Sequence, residues 1–258
     1  MQNANPWSLY DDLIAAIPPE LTVSDCTVGL HWTLVRSLGV GIAMTPPEGE
    51  RRLRLPGPVR GAKVRDIAAL AKSWNGFEAA LGVAAINSFI NTPTVVPADW
   101  LSPRPAAPGG STFEQMLPEI AGKRVAVVGH FPNLDLIAGA CSLHILERRP
   151  QSGDFPDPAC EYLLPSMDYV FITGSTLINK TLPRLLELSR QATTVVVGPT
   201  TPLTPLLFRY GASRLAGSVV RDPQAVWQQV VEGGDRSIFQ NGVEMVQSRN
   251  ERGAHAEH

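Results

Sequence analysis

From Arg124 onward the chain sets short, unbroken apolar runs, such as Val125-Ala126-Val127-Val128 and Val170-Phe171-Ile172, between stretches of helical spacing. Runs without polar alternation belong to strands covered on both faces, and their regular interruption by helices implies parallel strands joined by crossovers. The pattern predicts strands over 124–128, 141–146, 169–173, 194–197 and 214–219, with helices over 134–138, 177–190, 205–210 and 223–231. The fold class that follows is α/β, with a Rossmann-like parallel sheet in the C-terminal half.

The first half follows a different grammar. Leu9, Leu13, Ile14 and Ile17 recur at helical spacing until Pro18 and Pro19 stop the helix. Three β-like runs over 21–28, 32–37 and 39–44 read as an antiparallel meander, and helices over 64–73 and 77–90 complete a small α+β unit. Between Asn91 and Gly110 five prolines forbid regular structure, so the boundary is placed there. The expected division is a domain over 1–92, a Pro-rich linker over 93–112, a ligand-binding domain over 113–248 opened by a helix over 113–120, and a flexible tail over 249–258. A length of 258 residues suits two modest domains.

Composition narrows the partners. A formal net charge of -2 supplies no basic field to draw the chain onto nucleic acid or anionic lipid, so neither is expected as a partner. No apolar run approaches the roughly 20 residues of a membrane helix, and the opening MQNANPWSLYDDL lacks a signal peptide's basic and apolar regions, which predicts a cytoplasmic protein. Cys26, Cys141 and Cys160 are too widely spaced for a metal knuckle or a disulfide framework and read as reduced packing residues.

Ligands of open parallel sheets sit outside the carboxyl ends of the strands, so three strand-end loops are the candidates. They are Gly129-His130-Phe131-Pro132, Thr173-Gly174-Ser175-Thr176 and Gly198-Pro199-Thr200-Thr201-Pro202. In the second, Gly174 permits close backbone approach while Ser175 and Thr176 offer hydroxyls, as an anion cradle requires; the same four residues also suit a plain helix N-cap. Asn179 and Thr181 add polar groups just beyond it. In the third, two prolines stiffen a backbone carrying Thr200 and Thr201. The first lacks the later glycines of a dinucleotide fingerprint, and Glu147, 18 residues beyond Gly129, stands where an acidic side chain commonly meets ribose hydroxyls. His130 is the histidine of these loops and the first candidate for acid/base work or metal ligation, with Glu147 as the second ionisable group. Asn87 and Asn91 share a helix face in a nearly apolar stretch, where buried amides need partners in the other domain, a ligand or a nearby turn. Trp32 and Trp74 are the conspicuous aromatics of the first domain.

Several of these segments, taken in order, resemble one family. Val64-Arg65-Asp66-Ile67-Ala68, Ser73-Trp74, Ala80-Leu81-Gly82-Val83-Ala84-Ala85-Ile86-Asn87, Val128-Gly129-His130-Phe131-Pro132, Ile172-Thr173-Gly174-Ser175-Thr176-Leu177-Ile178-Asn179 and Gly198-Pro199-Thr200-Thr201-Pro202 are similar to the heavy-metal chelation family of uncharacterised bacterial and archaeal proteins. The resemblance implies an enolase N-terminal-like domain joined to a Rossmann-like domain. It also implies a site in the cleft between them that handles metals or a small heterocyclic ligand such as a pterin.

The leading expectation is a small-molecule protein, binder or enzyme, in which the strand-end loops and Asn87 surround a polar, anionic or heterocyclic ligand and His130 or Glu147 supplies the ionisable group. The alternative is a metal-handling protein using His130, Glu147 and a cysteine. A nucleotide- or S-adenosylmethionine-dependent transferase is a third reading, opposed by the missing glycine-rich loop. No cofactor and no metal set are specified by these residues, and assembly into a homo-oligomer is left open.

Overall fold

Leu9, Tyr10 and Leu13 bury one face of the first helix, α1 (Ser8–Ala15). The computed structural model describes residues 5–55, 57–101, 111–132 and 134–249. Three strands follow, β1 (Asp25–Val28), β2 (Trp32–Arg36) and β3 (Val40–Met44), paired antiparallel in that order. The first is shorter than the run over 21–28 because its leading residues pair elsewhere. Val23 N donates to Ala62 O and Val64 N to Leu21 O, each at 2.9 Å. α2 (Val64–Ala68) passes into a 3₁₀ turn, Ala69–Lys72, and α3 (Gly76–Ile90) begins at Asn75, whose Oδ1 accepts the N–H groups of Phe77 and Glu78. α3 is buried on nearly every side, the environment its all-round apolar sequence demands.

α4 (Thr112–Ile120) opens with a capping box between Ser111 and Glu114. The chain then runs through β4 (Arg124–Val128), α5 (Asp135–Ala138), β5 (Ser142–Glu147), β6 (Phe155–Pro156), α6 (Cys160–Leu163), β7 (Tyr169–Thr173), α7 (Leu182–Leu188), β8 (Thr193–Val197), α8 (Leu206–Arg209), β9 (Arg214–Val220), α9 (Pro223–Val231) and β10 (Val243–Arg249). The second sheet has the order β10-β9-β8-β7-β4-β5-β6 and is parallel except for β10, which pairs antiparallel with β9. The chain steps outward from β4 to β6, returns to the other side of β4, and steps away again through β7, β8 and β9. Strand order therefore reverses between β4 and β7.

Alternate residues of the central strands enter two different cores. Ala126, Val128, Val170, Ile172 and Val196 pack with α3, α7 and α8 on one face, while Val125, Val127, Phe171, Val195 and Val197 meet Phe113, Met116 and Ile120 of α4 and Ile137 of α5 on the other. The fold is thus mixed α/β with its parallel sheet covered on both sides. The small sheet is covered twice as well. Val35 and Ala43 join the first core, and Leu34, Val40 and Ile42 face Val226 and Val230 of α9 and Ile238. One continuous core reaches from Leu9 to Val246.

We propose the two-domain division on the two separate sheets, which share this core. Of the expected linker over 93–112, residues 102–110 lie outside the described residues and Thr112 already belongs to α4. Of the expected tail over 249–258, all but Arg249, the last residue of β10, lies outside them.

Candidate functional site

A reversal of strand order is where an open parallel sheet forms a crevice at its carboxyl edge. Here β4 is followed by Gly129, whose φ of 104° turns the chain into His130, and β8 by Gly198, with φ of 112°. Between these loops and the segment that follows β3 lies a cleft of about 1460 Å³, reaching Arg148 and Arg149 after β5 at one end and β10 at the other. His130, Phe131, Glu147, Thr173, Ser175, Thr176, Asn179, Gly198, Pro199 and Thr200 all line it. Its walls are aromatic at two places. Phe131 stands edge-on to Phe113 with centroids 5.3 Å apart, and Trp32 to Phe239 at 5.7 Å.

Asn87, Gly174 and Thr201 sit behind this lining. Asn87 is fully buried and its Nδ2 donates to Ile42 O at 2.9 Å and Thr200 O at 3.0 Å, so it ties α3 and β3 to the loop after β8. Asn91, one turn on, donates to Thr201 O and Ser218 O and accepts from Leu203 N. A Cβ on Gly174 would stand 2.6 Å from Thr201 N, so the smallness of this glycine serves packing between two loops. Thr201 is buried against it, with no partner for its own Oγ1 among the described residues.

The loop after β7 differs from the expected helix over 177–190. Thr173 Oγ1 accepts Ser175 N–H at 3.3 Å and opens a 3₁₀ turn, Gly174–Leu177, and the true helix starts only at Leu182. Lys180 breaks the run with φ of 67°, and Asn179 Oδ1 folds back to accept from Thr181 N and Oγ1. Pro183 in the first turn then restarts the helix. The Lys180 ammonium is drawn inward, donating to the carbonyls of Ser73 and Ile178, and burial lowers its pKa to about 8. Trp74 lies away from the cleft, 80% exposed, with its ring 5.7 Å from Lys180 Nζ.

The charges around the cleft are mostly committed. Glu147 accepts three backbone N–H groups, from His130 at 2.9 Å, Arg148 at 2.7 Å and Arg149 at 3.3 Å, and so shapes the β4 and β5 loops with its carboxylate. His130 Nδ1 lies 3.2 Å from Asp154 Oδ2. Arg149 pairs with Glu48 at 2.7 Å across the mouth, and Glu244 with Arg221. Among the described residues the side chains of Arg148 and Arg236 have no ion-pair partner, against Asp157 on the acidic side. Asp154 and Glu48 escaped the sequence reading. Neither sits in a motif, and each meets its partner only because the fold returns distant segments to one edge.

A metal has little to hold it. Among the described residues no three His, Cys, Asp or Glu side chains gather into a ligand set. All three cysteines are free thiols. Burial raises those of Cys26 and Cys141 and pushes Cys160 up to about 12, away from the thiolate that soft metals bind. No helix among the described residues is long and apolar enough to cross a membrane.

Comparison with known proteins places this architecture among others. A family model described as "Putative heavy-metal chelation" matches residues 111–248, and a second model of the same description matches residues 10–90. A crystal structure of a protein of unknown function from Desulfitobacterium hafniense is 37% identical, covering 97% of this chain and all of that one with a TM-score of 0.86. A second, from Pyrococcus horikoshii and also of unknown function, is 23% identical over 94% of this chain and 98% of that one with a TM-score of 0.76, a likeness of fold. An uncharacterized protein of Methanocaldococcus jannaschii is 33% identical over 162 residues, which span 59% of this chain and 59% of that protein.

Proposed function

Because the chain belongs to the family described as "Putative heavy-metal chelation", and that description names no particular ligand, we propose a function from the cleft itself. It binds a small polar or anionic organic ligand, planar and heterocyclic in the manner of a pterin, at the carboxyl ends of β4, β7 and β8. The observation that carries this reading is the cleft, which combines aromatic walls, strand-end hydroxyls and two arginines, Arg148 and Arg236, that have no ion-pair partner among the described residues. Aromatic faces suit a flat ring, and two uncommitted guanidinium groups suit an anionic substituent. The three free cysteines fit a reducing compartment, and the proposal includes a cytoplasmic location.

The family description favours metal cargo as the second reading, yet the donor set described above does not fit it. A thermal-shift panel of nucleotides, pterins and oxyanions, run beside metal analysis of protein purified without a metal column, separates the two. A ligand at a hundredfold excess over its Kd adds about 2.7 kcal/mol of stability. Stabilisation by a pterin, nucleotide or oxyanion that is weakened in Arg148→Ala supports the organic ligand. Stoichiometric transition metal with no organic ligand shifting the melting temperature overturns it.

A further inference from the structure

His130 is gripped from both ends. Its backbone N–H donates to Glu147, and its ring nitrogen Nδ1 faces the Asp154 carboxylate at 3.2 Å. That carboxylate is only 3% exposed and does not line the cleft, whereas His130 does. An ionised carboxylate accepts hydrogen bonds and cannot donate them, so the proton of a neutral ring must sit on Nδ1. The lone pair is then left on Nε2, which has no hydrogen-bond partner among the described residues. Asp154 Oδ2 also accepts Gln151 N–H at 3.0 Å, which fixes the carboxylate within its own turn before the imidazole leans on it.

Resting on the reading of the cleft as a ligand site, we propose that Asp154 is a positioning residue that locks His130 in the Nδ1–H form and presents Nε2 as a hydrogen-bond and proton acceptor. The ligand class is narrowed accordingly. It carries an N–H or O–H at the β4–β5 end of the cleft, which Arg148 also lines. When that group ionises, its proton passes to Nε2, the electron pair stays on the ligand's nitrogen or oxygen, and the resulting imidazolium is balanced by Asp154, which remains a carboxylate. Arg148, which lines the same cleft, supplies positive charge to it.

The test needs no ligand. Two-bond ¹H–¹⁵N correlation spectra of histidine-labelled protein above the imidazole's titration, with His130 assigned through His130→Gln, report which nitrogen is protonated. In the wild-type chain Nδ1–H is the expected major form, and Asp154→Ala shifts the ring toward Nε2–H, the form free imidazole prefers. A parallel probe is carbethoxylation of His130 by diethyl pyrocarbonate, followed by mass spectrometry. Its rate is expected to fall several-fold in Asp154→Ala, because the Oδ2 that accepts Gln151 N–H is the same atom that faces Nδ1 and only its removal frees the ring to change tautomer. A predominant Nε2–H ring in the wild-type protein, or an unchanged carbethoxylation rate in folded Asp154→Ala, overturns the proposal. Because both measurements are made on ligand-free protein, they stand or fall apart from the ligand panel.

Discussion

Asn91 uses both ends of its amide behind the loop that follows β8, and that makes it a sharper probe than its neighbour Asn87. Truncating Asn91 orphans Leu203 N–H and strips a donor from two carbonyls, all buried. Asn87 Oδ1 already has no partner among the described residues, so the loss of this side chain removes two donated bonds and relieves one buried acceptor. By the usual cost of unsatisfied buried groups, Asn91→Ala is expected to lose about 2–4 kcal/mol and Asn87→Ala only about 1 kcal/mol. Urea unfolding of both variants checks the order, and equal losses would contradict it. The residue scale is also where the sequence was least legible. The strand-end rule picked out His130 and the hydroxyl loops, since it needs only local pattern. It could not find Asp154, 24 positions away on a loop with no motif, nor show that Asn87, Gly174 and Thr201 turn inward, because both depend on which segments the fold packs together.

At the scale of the element, the unbroken apolar runs revealed the central strands because a strand buried on both faces has nowhere to place a polar residue. β10 gave no such signal. Its sequence VEMVQSR scatters three apolar residues among four polar ones, as befits an edge strand, and it pairs antiparallel with β9 instead of continuing the parallel crossovers. The helix after β7 starts later than its helical spacing suggests because Lys180, a helix former by type, takes a positive φ that such residues rarely adopt. α3 supplies a prediction at this scale. Gly82 lies mid-helix, where alanine would ordinarily gain about 1 kcal/mol. A Cβ there would stand 2.1 Å from Ala71 N in the preceding 3₁₀ turn, with only backbone to displace. Gly82→Ala is therefore expected to destabilise the protein, by about 1–3 kcal/mol as overpacking does, and calorimetry reporting a higher melting temperature would refute the packing argument.

For the molecule as a whole, Lys180 joins the two sheets' surroundings through its bond to the Ser73 carbonyl, and its burial has a consequence for pH. The folded-state pKa of about 8 lies below the ordinary lysine value of 10.5 that the unfolded chain retains. Between those two values the unfolded state binds more protons, so this group's contribution to stability rises with pH from about 8 upward. Below 8 both states carry the charge and the burial cost is felt in full. The difference in urea midpoint between wild type and Lys180→Met is thus expected to move in favour of wild type as pH climbs from 8 to 10, and a flat difference would show the ammonium to be well solvated. Using the difference cancels Tyr10 and Tyr210, whose hydroxyls burial pushes upward and which act in the opposite direction at higher pH. The pair of Arg149 and Glu48 bears on a different quantity, time. Both side chains are more than half exposed, so their bond across the cleft mouth is worth at most about 1 kcal/mol and parts on the roughly nanosecond scale of surface rotamers. A ligand held for a millisecond would find that door open about a million times before it left, so its residence is governed by the contacts it surrenders inside and not by the latch at the entrance.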